Sequence, residues 1–158
     1  VSFEGVDEVT REVKSIWTIG HSVRSPEEMI RLLRLNGIRV VVDVRRFPKS
    51  TKCPHFNSEA IAIWLAEAGI KYVWLGDKLG GYRHGGYQSY MNTDEFACGL
   101  WQLEELAKET SVAIMCAERF PWMCHRRFIA SCLISRGWRV LHIIDEKRIW
   151  EQKQAIAP

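Results

Sequence analysis

Ile38-Arg39-Val40-Val41-Val42-Asp43-Val44-Arg45-Arg46-Phe47-Pro48-Lys49-Ser50 is the stretch whose reading decides the fold. From Ile38 to Val42 the run is apolar and β-branched apart from Arg39, the pattern of a strand covered on both faces. Strands of that kind belong to parallel sheets wrapped by helices. At Asp43 the apolar run stops and charged side chains follow at once. In an α/β sheet such a stop marks the carboxyl end of a strand, the edge along which active sites are built.

Working outward, the rest of the chain repeats the pattern. Ile16-Trp17-Thr18-Ile19 reads as a first strand ending at Gly20-His21-Ser22. Ser25-Pro26-Glu27-Glu28 opens a helix, with a capping Ser, Pro in the first turn and acids beside the positive end of the dipole. Met29, Leu32, Leu33 and Leu35 give it an apolar face, and Asn36-Gly37 stops it. An irregular loop runs through Phe56. Asn57-Ser58-Glu59 then opens a second helix bearing Ile61, Trp64, Leu65 and Ala68, stopped by Gly69. Ile70 to Leu75 is a third strand, and Gly76 to Asn92 a long loop rich in Gly and Tyr. Thr93-Asp94-Glu95 starts a third helix to about Glu109, Val112 to Cys116 is a fourth strand, and Pro121 begins a fourth helix ending at Gly137. Trp138 to Ile144 is a fifth strand, and the tail after Asp145 reads as a short helix or a frayed end. Strand and helix alternate four times and close on a strand. That predicts one α/β domain over residues 15–145, a mostly parallel five-stranded sheet with helices packed on it and right-handed crossovers. Residues 1–14 and 146–158 are terminal extensions.

A chain of 158 residues is long enough for one sizeable core. Its net charge of +3 permits an anionic partner without requiring one. No apolar stretch reaches the roughly 18 residues that span a bilayer, so no membrane partner is expected. Residues 1–14 lack a signal-peptide core, which makes the cytoplasm the default location. Five cysteines, an odd number with no export signal, fit reduced thiols. Of the seven tryptophans most are expected in the core or at its rim, while Trp101 or Trp150, if exposed, would mark a homodimer contact.

The loops at 20–24, 43–56, 75–92 and 116–124 all leave strand carboxyl ends, so their side chains can converge on one edge of the sheet. The most reactive of them is Cys116-Ala117-Glu118-Arg119-Phe120-Pro121-Trp122-Met123-Cys124-His125-Arg126-Arg127. Pro121 as a first helical residue would set Cys124 and His125 in the first turn, where free N–H groups favour a thiolate or a bound anion. Arg126 strengthens that field. Either Cys124 or Cys116 would then serve as nucleophile, with His125 or Glu118 carrying protons. Either cysteine could as well be an inert small hydrophobe. Cys98 and Cys132, at mid-helix, read as core. The chain has no Cys-x5-Arg loop and no Cys-x-x-Cys pair, and Cys53-Pro54-His55 beside Cys124-His125 is too weak a pattern to name a metal site. Walker and dinucleotide fingerprints are missing too, so no cofactor is expected.

Arg45, Arg46 and Lys49, with Ser50, suit a phosphate or carboxylate. Asp43, two residues from Arg45, is placed to orient it or to pair with another cation. His21 and Ser22 end the first strand on the same edge. In the 76–92 loop, Tyr82, Arg83 and Tyr90 among glycines suit base stacking with phosphate neutralisation, or a lid over a small ligand. Placement at strand ends predicts that substituting Arg45 or Glu118 abolishes ligand binding or turnover and spares stability.

Taken together these stretches resemble the DUF488 family of small prokaryotic proteins. The resemblance is carried by Thr18-Ile19-Gly20-His21-Ser22, by Asp43 to Ser50, by Pro54-His55-Phe56-Asn57, by Leu79-Gly80-Gly81, by Tyr90 to Phe96 and, most specifically, by Cys116-Ala117-Glu118 through Pro121 and Cys124-His125-Arg126. It implies a compact α/β fold and a functional part for His21, Asp43, Arg45, Ser50, Glu118, Cys124, His125 and Arg126. It implies no reaction. Three functions therefore compete. The first is a hydrolase- or lyase-like enzyme acting on an anionic, phosphate-bearing substrate, a nucleotide or nucleic acid, held by Arg45 and Arg126. The second is a non-catalytic nucleic-acid-binding module. The third is a thiol redox or metal-binding protein that pairs Cys116 with Cys124.

Overall fold

The computed structural model describes residues 14–154. In chain order the elements are β1 (Ser15–Gly20), α1 (Pro26–Leu35), β2 (Val40–Asp43), α2 (Ser58–Glu67), β3 (Lys71–Trp74), α3 (Gly76–Leu79), α4 (Tyr87–Tyr90), α5 (Asp94–Glu109), β4 (Val112–Cys116), α6 (Arg126–Ser135), β5 (Arg139–Ile143) and β6 (Ile149–Gln152). Short 3-10 turns at Pro54–Phe56 and Pro121–Met123 precede α2 and α6. The strands form one sheet in the order β3-β2-β4-β1-β5-β6. The first five are parallel, and β6 runs antiparallel along β5.

The period-2 alternation of the strands sorts the core into two layers. Val40, Val42, Val112, Ile114 and Val140 face α5 and α6, meeting Leu100, Leu103, Ile129 and Leu133. Val41, Ala113, Met115, Ile19 and Ile143 face α1 and α2, meeting Met29, Leu32, Leu33, Ile61 and Leu65. Helices cover both faces of the sheet, as the buried valine run requires.

The expected helix starts hold at Ser25, whose hydroxyl accepts from the Glu28 N–H at 3.1 Å, and at Thr93, which accepts from Phe96 N–H at 3.3 Å. Asn57 precedes α2 but caps a different segment: its Oδ1 accepts from the Ser50 N–H and ties the 43–56 loop to the helix. Three expectations change. The tail after Asp145 supplies a sixth strand in place of a helix or frayed end, because a turn at Asp145–Arg148 lets residues 149–152 add to the exposed edge of β5. The 76–92 segment contains two single-turn helices. The helix expected from Pro121 begins only at Arg126; the 3-10 turn ends first, and Cys124 is extended (φ −149°, ψ 176°). Of the 1–14 extension, residues 1–13 lie outside the described residues, as do residues 155–158.

One other expectation also fails. Cys98 is exposed on α5, though Cys132 packs against the core. Trp74, Trp101, Trp122 and Trp150 are at least 42% exposed and so lie outside the core, Trp74 donating to the Arg45 carbonyl and Trp150 stacking on His142. No helix among the described residues is long and apolar enough to cross a membrane.

Consecutive strands step one way from β1 to β2 and β3, and then the other way from β4 to β5, across β1. The order reverses at the β1–β4 pair, where the carboxyl-end loops part and leave a crevice. Gly20 pairs with Cys116 there. A methyl group on Gly20 would lie 1.7 Å from the Glu118 carbonyl oxygen, so only glycine lets the loop after β4 cross the end of β1 this closely.

Candidate active site

At that crevice lies a cleft of about 600 Å³, lined by the loops after β1, β2 and β4, the 76–92 segment and the turn before α6. Its walls include His21, Arg45, Arg46, Lys49, Ser50, Tyr82, Cys116, Glu118, Cys124 and His125. Ten residues singled out from the sequence thus meet at one hollow.

Cys116 ends β4 and is 2% exposed, while Cys124, in the turn before α6, is only partly buried. Their sulfurs are 3.2 Å apart. The bond to Cys116 holds the Cys124 thiol below its ordinary range; burial opposes this, and the Arg126 charge and main-chain N–H reinforce it. Burial pushes Cys116 well above its ordinary range. The two shifts fit one arrangement, a Cys116 thiol donating to a Cys124 thiolate. The Arg126 N–H also points at the Cys124 sulfur, at 3.3 Å, so a helix start does serve the thiolate although Cys124 is outside the helix.

Arg126 is fully buried. It was expected to hold substrate phosphate, but burial beneath the cleft floor keeps it from the walls. Its guanidinium donates to Thr18 Oγ1 (3.3 Å) and to the carbonyls of Glu118 (2.9 Å) and Arg119 (3.2 Å), and its Nε has no partner. Beyond Thr18 the donors can be assigned in sequence. Gln152 Nε2 donates to Ser131 Oγ, so Gln152 Oε1 accepts from His142 Nε2–H at 2.8 Å. His142 Nδ1 is then the acceptor for the Thr18 hydroxyl at 2.6 Å. Burial lowers His142 to about 4, keeping it neutral as this chain requires. The hydrogen-bond partners of the Arg126 side chain are therefore all uncharged, and the Cys124 sulfur is the group beside it that can carry a balancing negative charge.

Arg45 and Asp43 form the second buried pair. Asp43 is fully buried and Arg45 is 7% exposed. Arg45 Nε and Nη2 grip the carboxylate at 2.9 and 2.7 Å, Nη2 also donates to the Phe56 carbonyl at 2.7 Å, and the Tyr72 hydroxyl caps Asp43 from β3. Arg45 Nη1 donates to His21 Nε2 at 3.2 Å, so His21 carries its proton on Nδ1, which donates to the Ser22 carbonyl at 2.9 Å. Burial lowers His21 to about 4, so it stays neutral. Of the five guanidinium hydrogens, one on Nη1 is left for a ligand. Arg45 can touch a substrate through one bond and cannot clasp it with two. Because the pair is buried, replacing Arg45 is now expected to lower stability as well as ligand binding.

His125 donates from Nε2 to the Val44 carbonyl at 3.2 Å and packs on Tyr87, with burial lowering it to about 4. Its Nδ1 lone pair lies under Gly81, where a methyl group would come within 3.3 Å. No hydrogen bond joins His125 to the Cys124 sulfur among the described residues, so a simple Cys–His dyad is not formed. Glu118 is exposed at the mouth and its backbone carbonyl receives Arg126.

Other expected substrate-binding residues serve the scaffold. Asp43 is sealed behind Arg45. Arg83 donates from Nε to the Gly80 carbonyl and from Nη2 to those of Gly76 and Asp77, and lies 3.9 Å over the Tyr90 ring. Tyr90 is buried, donating to the Lys78 carbonyl. Ser22 contributes its main chain, with N–H to the Ala117 carbonyl and a positive φ of 48°. Arg46 lines the cleft while donating to the Tyr82 carbonyl. Ser50 lines it while its hydroxyl accepts from Cys53 N–H. Cys53 is core, and His55 bonds the Arg24 carbonyl, so neither reaches the cleft cysteines. No group of three or more metal-binding side chains occurs among the described residues.

Sequence reasoning did not single out Phe47 or Met123 as wall residues, or Thr18, His142 and Gln152 as the support of Arg126. The signal for the last group was a polar residue inside an otherwise apolar strand, Thr18 in β1 and His142 in β5.

A family model described as a domain of unknown function, DUF488, matches residues 25–133. No curated protein and no solved structure matches the chain.

Proposed function

The chain belongs to the DUF488 family, whose description assigns no reaction, and from its cleft we propose that it is a thiol-dependent enzyme, hydrolase- or lyase-like, acting on an anionic, phosphate-bearing substrate. Cys124 is the nucleophile. The observation that carries this reading is the buried Arg126, with uncharged side-chain partners and the Cys124 sulfur beside its main-chain N–H. A buried guanidinium balanced by sulfur keeps that sulfur ionised and reactive. Lys49, Arg46 and the spare Arg45 hydrogen give the walls a cationic excess over Glu118, which favours an anion.

In the hydrolytic form, the Cys124 electron pair bonds to the electrophilic centre. The leaving group departs with the bonding pair and takes a proton from solvent at the open mouth. Water then cleaves the sulfur-bound intermediate, giving a proton to Glu118 and restoring the thiolate. A nucleotide or nucleic acid suits the outer walls, where Phe47 and Tyr82 are exposed, their ring centres 6.2 Å apart, beside Arg46 and Lys49. A reducing, cytoplasmic setting goes with this chemistry, since it keeps both sulfurs as thiols.

The same aromatic and cationic rim favours the second reading, a nucleic-acid-binding module without turnover. One experiment separates them. Wild type and C124S are compared for binding and turnover on a panel of nucleotides and single-stranded oligonucleotides, and Cys124 is alkylated across pH. Turnover lost in C124S with binding kept, and an alkylation midpoint well below the ~8.5 of a free thiol, are the expected results. Salt-sensitive binding with no turnover by either protein, or an ordinary midpoint, would remove the enzyme reading.

A further inference from the structure

Nucleophilic attack on a phosphate-bearing substrate needs one sulfur, yet the cleft holds two. Cys116 lies 3.2 Å from Cys124, about 1 Å beyond disulfide bonding distance. The two differ in access. Cys124 is partly exposed on the cleft wall, while Cys116 is 2% exposed behind it. Both line the cleft, and a reagent entering it finds Cys124 the more accessible of the two. The Cys116 sulfur has two acceptors for its proton, the Cys124 sulfur at 3.2 Å and the Glu118 carbonyl at 3.7 Å.

We propose that Cys116 and Cys124 form a reversible dithiol–disulfide couple through which the protein reduces hydroperoxides. This rests on the Cys124 thiolate of the preceding reading and is independent of the phosphate-bearing substrate. The Cys124 electron pair attacks the terminal peroxide oxygen. An S–O bond forms as the O–O bond breaks, and the alkoxide or hydroxide that leaves takes a proton from solvent. The sulfur, now a sulfenic acid, has lost two electrons to the peroxide. Cys116 sulfur then bonds to Cys124 sulfur, the S–OH bond breaks, and the hydroxyl departs with the Cys116 proton as water. An external dithiol returns both thiols and leaves as its own disulfide. The second sulfur, held at bonding range, also stops Cys124 from climbing to the sulfinic acid.

Cys98, exposed on α5, is an internal control for an ordinary surface thiol. The reduced protein is mixed with one equivalent of hydrogen peroxide, quenched with iodoacetamide in denaturant so that every remaining thiol is labelled, and read by intact mass and peptide mapping. The expected product is two hydrogens lighter. Cys116 and Cys124 become resistant to alkylation together, roughly tenfold or more ahead of any oxidation at Cys98, and dithiothreitol restores both. C116S is expected to stop at a Cys124 sulfenic acid that a cyclic dione traps. Wild-type protein that gains oxygen at Cys124 while Cys116 stays alkylatable would overturn the couple and leave the thiolate standing. Cys124 reacting no faster than Cys98 would overturn both.

Discussion

At the scale of single residues, the cleft depends on two buried cations whose needs are met differently. Arg45 has a carboxylate and Arg126 has a sulfur. Removing the Asp43 carboxylate would leave the Arg45 guanidinium buried with carbonyl and imidazole partners alone. Asp43→Ala is therefore expected to cost about 3–5 kcal/mol, read as a lower urea midpoint at unchanged slope. A change under about 1 kcal/mol, the range of exposed pairs, would show that water reaches the pair. The pairing of Asp43 with Arg45 was legible in the sequence, because the two are separated by one residue at the end of a buried strand. How many hydrogens Arg45 has left was not legible, since that depends on Phe56 and His21, brought in from other loops. Tyr90 misled for a similar reason. An aromatic residue in a glycine-rich loop suits stacking on a ligand, and only the packing of α4 against Phe96 turns it inward.

At the scale of elements, β6 contributes more than an edge. Gln152 pairs with Val140 and supplies the acceptor that fixes His142, and through Thr18 the seat of Arg126. Gln152→Ala would strand the buried His142 Nε2–H and is expected to destabilise by about 1–3 kcal/mol. A melting temperature lower by roughly 2–4 °C per kcal/mol would report it; an unchanged melt would mean that the chain of bonds is not needed. The parallel strands and α1, α2 and α5 were legible from their apolar periodicity, helped by the caps at Ser25 and Thr93 and the stops at Gly37 and Gly69. β6 was not. Ile149-Trp150-Glu151-Gln152 is too short to separate a strand from a helix by pattern, and its pairing depends on an open edge elsewhere. The start of α6 was misjudged because Pro121 suits the first turn of a 3-10 helix as well as that of an α-helix.

At the scale of the whole molecule, three histidines are held neutral, His21 and His142 buried and His125 half-buried. His21, His125 and His142 are all lowered by burial to about 4. Their folded values lie below the unfolded one, so the stability they contribute is complete above an unfolded pKa of about 6.5. It is lost as the pH falls from there toward 4, when the unfolded chain takes up protons that the folded one refuses. The slope is at most about 1.4 kcal/mol per pH unit for each histidine. Urea midpoints taken from about pH 7 to about pH 4 should fall throughout that window; a flat profile would mean that all three rings charge in place. The architecture also sets an order of assembly. β1 is made first, yet its sheet neighbours β4 and β5 are the fourth and fifth strands along the chain. On the ribosome, a nascent chain therefore carries Ile16–Ile19 as an orphan, sticky ribbon until residues 112–143 have emerged. Translation that stalls earlier yields a client for chaperones and proteases, with ordinary thiols, and no half-working intermediate.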